Sequence, residues 1–537
     1  MSLLPFELVT TVGAVLALLL RSNARVATAI AVGGLFAAAV TALAISPGQS
    51  VVIGGAGIAT TEYLRLFLVL GATVGLLLAV VGQAVGSARD AAAVTLGVLA
   101  TSALALSLPD ARIAVLAATA GGGFGALVTL APTGGRVGAT VGTRVLRATV
   151  VAGTMAVAAT AWIGRDLTDL AAQPVVFGLA YLAFALAVAI RFGAIPLHTW
   201  AAPLTDNVPE TALPLVTAWA PAAFAIVALA WADASIAPLL VDLDAVRFVV
   251  LAIAISSIML ASVAALIQDD IEHIVGYAII GDAGVILLAI AALDPAAWAP
   301  ARTWILAFVV ARSAFAAWAA ATRSVFFTGR LTDLRGWAIR SPALGVILGV
   351  VVVASVGVPG LAAFDARGTI VALAIDGPLG ALVLLGALSP LLYYGRVLLV
   401  GVGRPAGGAA SARSLRPVVS PVDLTDLRSW LTRTWSDNLA VTATGGAALL
   451  AILALAVSFG AFGASSAAAG LPPTLDVSRE SFAPEDPQAP VGSDAPSAPP
   501  ADGEAGEAPS APPSDDEPSE APPAPSPDGS PSGAPSP

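Results

Sequence analysis

Apolar runs long enough to cross ~30 Å of hydrocarbon recur about fourteen times along this chain, and that repetition restricts the fold more than any other feature. In lipid every backbone N–H and C=O must find its partner inside the protein, so a chain of this kind folds as a bundle of membrane-spanning α-helices. Composition agrees: 57% of the 537 residues are hydrophobic and 11% are charged, too apolar for a soluble surface. The expected fold is all-α and integral to the membrane, with about fourteen transmembrane helices and a polar C-terminal tail.

Two of the runs are interrupted. One reads Ile190-Arg191-Phe192-Gly193-Ala194-Ile195-Pro196-Leu197-His198, and the other Gly357-Val358-Pro359-Gly360 followed by Phe364-Asp365-Ala366-Arg367. Each couples a Gly/Pro break, at Gly193 and Pro196 or at Gly357, Pro359 and Gly360, to ionisable groups at membrane depth. Freed carbonyls and charges are tolerated there only where protein or water satisfies them, so such places line internal cavities or ion paths. Their comparable positions predict two inverted five-helix repeats, at 91–231 and 247–401, each containing one broken helix. Around them, 1–90 reads as N-terminal transmembrane helices and 402–438 as a cytoplasmic connection with an interfacial stretch anchored by Trp430 and Trp435. Residues 439–463 read as a last transmembrane helix and 464–537 as a tail.

The formal net charge of −10 belongs to that tail, because thirteen acids and one Arg lie from Asp476 onward. Its Pro, Ser, Ala and Gly content cannot bury enough surface to fold, which predicts a disordered acidic extension. The Arg distribution, on fourteen spans, puts both termini on the extracytoplasmic face of the cell's inner (plasma) membrane. The first apolar run has no basic residue ahead of it and is followed by Arg21 and Arg25, as in a retained span rather than a cleaved signal. The absence of Cys removes disulfides, iron–sulfur ligation and thiolate zinc, and with two His any metal site would need mostly carboxylates. Gly121-Gly122-Gly123 lies in an apolar run without the strand, Lys and Ser/Thr of a phosphate loop, and suits a small-residue packing face. Nothing basic and aromatic-interleaved is present to hold nucleic acid.

The segment from Arg191 through His198, Trp200 and Pro209 resembles the helix-break motif of the proton-translocating antiporter-like subunits. These are the N, M and L subunits of NADH-quinone oxidoreductase (complex I) and the Mrp antiporter subunits. Gln268-Asp269-Asp270-Ile271-Glu272-His273, Asp333-Leu334-Arg335-Gly336, Ser355 to Arg367 and Tyr393-Tyr394-Gly395-Arg396 are similar to further motifs of that family, in the same order. Helix number fits subunit N best. The resemblance implies a subunit of a complex I-like or Mrp-like assembly, taking part in proton transport coupled to NADH-to-quinone electron transfer. Its partners would be other membrane subunits and the bilayer; NADH and quinone would be handled by those subunits, and this chain would bind no cofactor.

In the family, protons are thought to pass along buried lysines and a glutamate. This sequence has no lysine. Arg191 and Arg367 stand where the resemblance places two of those lysines, a third position falls near Pro221, and the glutamate falls within Ala117 to Gly122. A guanidinium stays charged and cannot exchange protons, so both arginines are read as fixed charges. The remaining polar-axis candidates are His198, Asp282, Arg312 and Asp365. His198 is read either as a proton relay or as a brace of the broken helix. Asp282 and Arg312 are the natural ion pair, whereas Asp365 and Arg367, two residues apart, do not face each other on a helix. Three functional readings follow: the proton-coupled subunit, a degenerate non-conducting scaffold in a membrane complex, and a stand-alone transporter of a small anion.

Overall fold

The computed structural model describes residues 2–53, 56–85, 90–130, 136–163, 174–235, 243–375, 377–403 and 427–457. The expected acidic tail and most of the expected 402–438 connection lie outside these residues. Helices occupy Leu4–Leu19 (α1), Ala24–Leu43 (α2), Glu62–Ala84 (α3), Ala91–Ser107 (α4), Ala111–Leu130 (α5), Arg136–Ile163 (α6), Pro174–Phe192 (α7) and Ala220–Ser235 (α8). They continue at Asp244–Ile267 (α9), Ile271–Ala292 (α10), Trp298–Phe326 (α11), Pro342–Val356 (α12), Ala362–Ala374 (α13), Gly377–Ala387 (α14), Pro390–Val402 (α15) and Leu427–Ala456 (α16).

The protein is a multi-pass membrane protein. Among the described residues, nine helical segments are long and apolar enough to cross a membrane, and five apolar helices are shorter, at 10–17 residues. Helix breaks divide some of the apolar runs that the sequence presents as single spans. The expected span 367–401 is divided in this way: helix resumes at Gly377 and again at Pro390, a residue whose missing N–H suits a first turn. The last helix starts at Leu427, twelve residues earlier than the expected 439, and so takes up the end of the expected connection.

One element departs from an all-α bundle. Residues Ser50–Ile53 (β1) and Ala56–Ala59 (β2) form an antiparallel hairpin, with Ser50 opposite Ala59 and Ile53 opposite Ala56. The β-branched run Val51-Val52-Ile53 favours extended backbone over helix. Thr60 closes the base: its backbone N–H donates to the Gln49 carbonyl at 2.9 Å, and its carbonyl accepts from the Gly48 N–H at 2.7 Å.

The centre of the bundle is α11. Its apolar window is wholly buried, as is that of Leu215–Ala232, which enters α8 through a wider turn at Leu215–Trp219. Helices α3, α10, α12, α13 and α16 pack around α11. The closest approach of another pair, α9 and α10, needs a residue without a side chain: a Cβ at Gly284 would lie 2.7 Å from Ile258 Cγ1 and 2.8 Å from the Ala254 carbonyl oxygen. Gly284→Val is therefore expected to cost ~1–3 kcal/mol through overpacking, seen as a lower unfolding midpoint in detergent. Gly349→Val in α12, where a Cβ meets nothing within 4 Å, should leave that midpoint unchanged.

Candidate functional site

Both helix breaks are organised around glycines in the left-handed region. At the first, Gly193 has φ +63° and ends α7, and Pro196 has no N–H to extend the helix. The Ile190 carbonyl, which accepts from the Gly193 N–H at 3.1 Å, takes a second hydrogen bond from Trp200 Nε1 at 2.8 Å, and the Ile195 N–H donates to Ser257 Oγ on α9 at 3.0 Å. At the second, Gly357 has φ +78° and ends α12. Here a cation replaces the tryptophan: Arg367 Nη2 donates to the Val356 carbonyl at 2.7 Å and Nη1 to the Ala387 carbonyl at 3.1 Å. Backbone oxygens from two helix ends thus solvate a guanidinium that is 1% exposed.

A chain of side chains runs beside this second break. Arg312, at the middle of α11, donates from Nε to Asp282 Oδ2 on α10 at 2.5 Å, and both side chains are buried. Its Nη1 donates to the Tyr394 hydroxyl at 2.7 Å, and that hydroxyl is 2.8 Å from Ser355 Oγ at the end of α12. Trp304 joins the two parts, donating from Nε1 to the Asp282 carbonyl at 3.2 Å while its ring lies 5.4 Å from the Arg367 guanidinium. Asp282, Arg312 and Arg367 are therefore brought together. Asp365 is not: it is exposed on the opposite side of α13 from Arg367.

In the first half, Arg191 is 1% exposed and donates from Nη1 to Thr149 Oγ1 on α6 at 2.8 Å. Its guanidinium lies against α5 so closely that a Cβ at Gly122 would be 2.7 Å from Arg191 Cζ. No carboxylate among the described residues forms an ion pair with it. His198 lies in the turn Leu197–Trp200, half-buried, with Nδ1 buried and without a hydrogen-bond partner among the described residues.

Sequence reasoning missed a third cluster. Glu210, buried in the segment after the first break, accepts from Arg323 Nη1 at 2.9 Å, and the same nitrogen binds Glu272 in the first turn of α10. His273 Nε2 lies 3.3 Å from Asp206 Oδ1. In the sequence Glu272 stands out only as part of the motif Gln268 to His273; Glu210, isolated between Pro209 and Thr211 next to an apolar run, was the available signal. The roles of Ser355 and Thr149 were likewise hidden, since Ser and Thr hydroxyls in apolar helices usually bond to their own backbone.

Residues 153–392 match a family model described as "NADH:quinone oxidoreductase/Mrp antiporter, TM". The chain is similar to the antiporter-like subunits. NADH-quinone oxidoreductase subunit N of Halorhodospira halophila is 28% identical over 229 residues, 42% of this chain and 46% of that protein. Subunit N 1 of Acidiphilium cryptum is 29% identical over 270 residues, 47% of this chain and 55% of that protein. The chain spans about half the length of these curated relatives. A chain of respiratory complex I from Thermus thermophilus with bound aureothin superposes with a TM-score of 0.62 at 18% identity, covering 87% of this chain and 100% of that one. A chain of the Mrp complex from Dietzia sp. DQ12-45-1b gives 0.66 at 16%, covering 86% and 97%. The antiporter-like fold therefore extends over most of the chain, and both breaks and the Asp282–Arg312 pair fall within the matched segment.

Removing one partner of a buried ion pair leaves the other uncompensated. Arg312→Met is expected to cost ~3–5 kcal/mol, and the Arg312→Met/Asp282→Asn double variant should recover part of that loss when unfolding midpoints are compared in detergent. Asp365→Asn, at an exposed position, should stay within ~0.5 kcal/mol of the parent.

Proposed function

We propose that this chain is a membrane subunit resembling subunit N of NADH-quinone oxidoreductase, working in a complex I-related or Mrp-like assembly and taking part in proton transport coupled to NADH-to-quinone electron transfer. The observation that carries this reading is the buried line Asp282–Arg312–Tyr394–Ser355, set beside the second helix break and the Arg367 guanidinium. A hydrophobic scaffold alone has no use for two guanidinia and a carboxylate at membrane depth, where each is costly. Redox chemistry lies with partner subunits, and this chain binds neither NADH nor quinone itself. The five shorter apolar helices also cross the bilayer in this reading, giving fourteen spans, two inverted repeats at 91–231 and 247–401, a plasma-membrane location and extracytoplasmic termini.

The arginines define what kind of conduction is open to it. Guanidinium groups hold their protons, so Arg191, Arg312 and Arg367 act as fixed positive charges. Proton exchange falls to Asp282, with His198 as a second exchanging group in the first half. Protonation of Asp282 would weaken its bond to Arg312 and free that guanidinium toward Tyr394, which couples the charge state of α10 to the contacts of α12 and α15.

A second reading, a non-conducting structural subunit, is favoured by Arg191: a permanent cation packed between Gly122 and Thr149 is a barrier to a passing proton. Purification from the native membrane followed by mass spectrometry tests what the two readings share. Recovery with antiporter-like, quinone-site or iron–sulfur subunits is expected, and recovery as a stable lone species would overturn both. Reconstitution of the recovered complex then separates them: Asp282→Asn abolishes proton uptake if the line conducts, and leaves it unchanged if this subunit is structural.

A further inference from the structure

The buried charges near the second break do not balance. Asp282 is matched by Arg312 at 2.5 Å. Among the described residues Arg367 is held by the carbonyls of Val356 and Ala387 and by the faces of Trp304 and Phe364, and the charged groups near it are Asp282 and Arg312. Asp365, the acid on its own helix, is exposed. One positive charge is therefore left over at membrane depth, where an uncompensated ion costs several kcal/mol and a guanidinium cannot discharge itself.

A small cavity lies at this place, lined among others by Asp282, Arg367, Tyr393, Ser262 and Trp304. Two donors on its wall, the Arg367 Nε–H and the Tyr393 O–H, find no acceptor among the described residues, and both residues are 1% exposed. The Arg312 guanidinium neighbours the Tyr393 hydroxyl; as a donor-only group it can meet the phenol oxygen but cannot take the phenol proton. Ser262 donates its hydroxyl hydrogen to the Ile258 carbonyl at 2.8 Å, so it offers the cavity no further donor.

We infer that the second half of the bundle holds a binding site for a small monovalent anion of halide size, bound by Arg367 Nε–H and Tyr393 O–H and compensating the unmatched charge of Arg367. The excess positive charge rejects a metal cation. The site shares residues with the proposed polar line but does not require proton flow.

The test uses the full chain purified in detergent, with sodium gluconate exchanged for sodium chloride or bromide at constant ionic strength, and reads the unfolding midpoint. A saturable rise with chloride and bromide is expected. Tyr393→Phe should raise the half-saturating concentration by about tenfold, the loss of one hydrogen bond to an ion. Arg367→Gln should remove the response, but it also removes two helix-end bonds, so Ser262→Asp serves as the second variant. It supplies a fixed carboxylate from the cavity wall, and is expected to be insensitive to halide and at least as stable as the parent in gluconate. The inference is overturned if halides and gluconate give the same midpoint, or if Ser262→Asp keeps the parent's halide response. A halide response without proton uptake would sink the transport reading alone, and proton uptake without a halide response would sink this one alone.

Discussion

A guanidinium at membrane depth keeps its charge, so every element near it has to supply oxygen or an aromatic face. Much of the second half of this bundle is organised by that requirement. Arg312 draws together α10, α12 and α15 through Asp282, Ser355 and Tyr394, and Arg367 draws together the ends of α12 and α14 through two carbonyls. The break at Gly357 has a use in this light: an unbroken helix would have spent the Val356 carbonyl on its own backbone, leaving Arg367 short of a ligand. Break and cation are two halves of one arrangement.

The first half solves a similar problem with different parts. Its break is satisfied by the Trp200 indole and by Ser257, neutral groups, and its cation lies elsewhere, with Nη1 bonded to Thr149. Charge and freed backbone are thus separated around Gly193 and joined around Gly357. Among the candidate axis residues, the one carboxylate that stands beside a cation is Asp282, in the second half. The two halves share an architecture without sharing a chemistry.

How far this was legible in the sequence depends on what each feature rests on. The helices and both breaks could be read because apolar run length and Gly/Pro placement act locally. The Asp282–Arg312 partnership could be read because two buried opposite charges have few other options. The Arg191 contacts could not be read: they depend on Gly122 and Thr149, on two helices far apart in sequence, and Gly122 contributes by having no side chain. Arg323 binding both Glu210 and Glu272 depends on how three segments meet after folding, which run length does not encode. The hairpin at 50–59 was lost because four-residue strands leave a weak pattern between long helices.

Helix α11 carries Arg302, Arg312 and Arg323 along a segment with no lipid-facing side in its apolar window. Such a helix is a poor independent insertion signal, since each central arginine opposes partition into the bilayer. During synthesis its first stable environment is consequently protein rather than lipid: α10 has already emerged with Asp282 to receive Arg312, while Tyr394 and α16 follow later. Biogenesis of this protein then has a built-in order, in which the most central helix is the one least able to enter the membrane unaided.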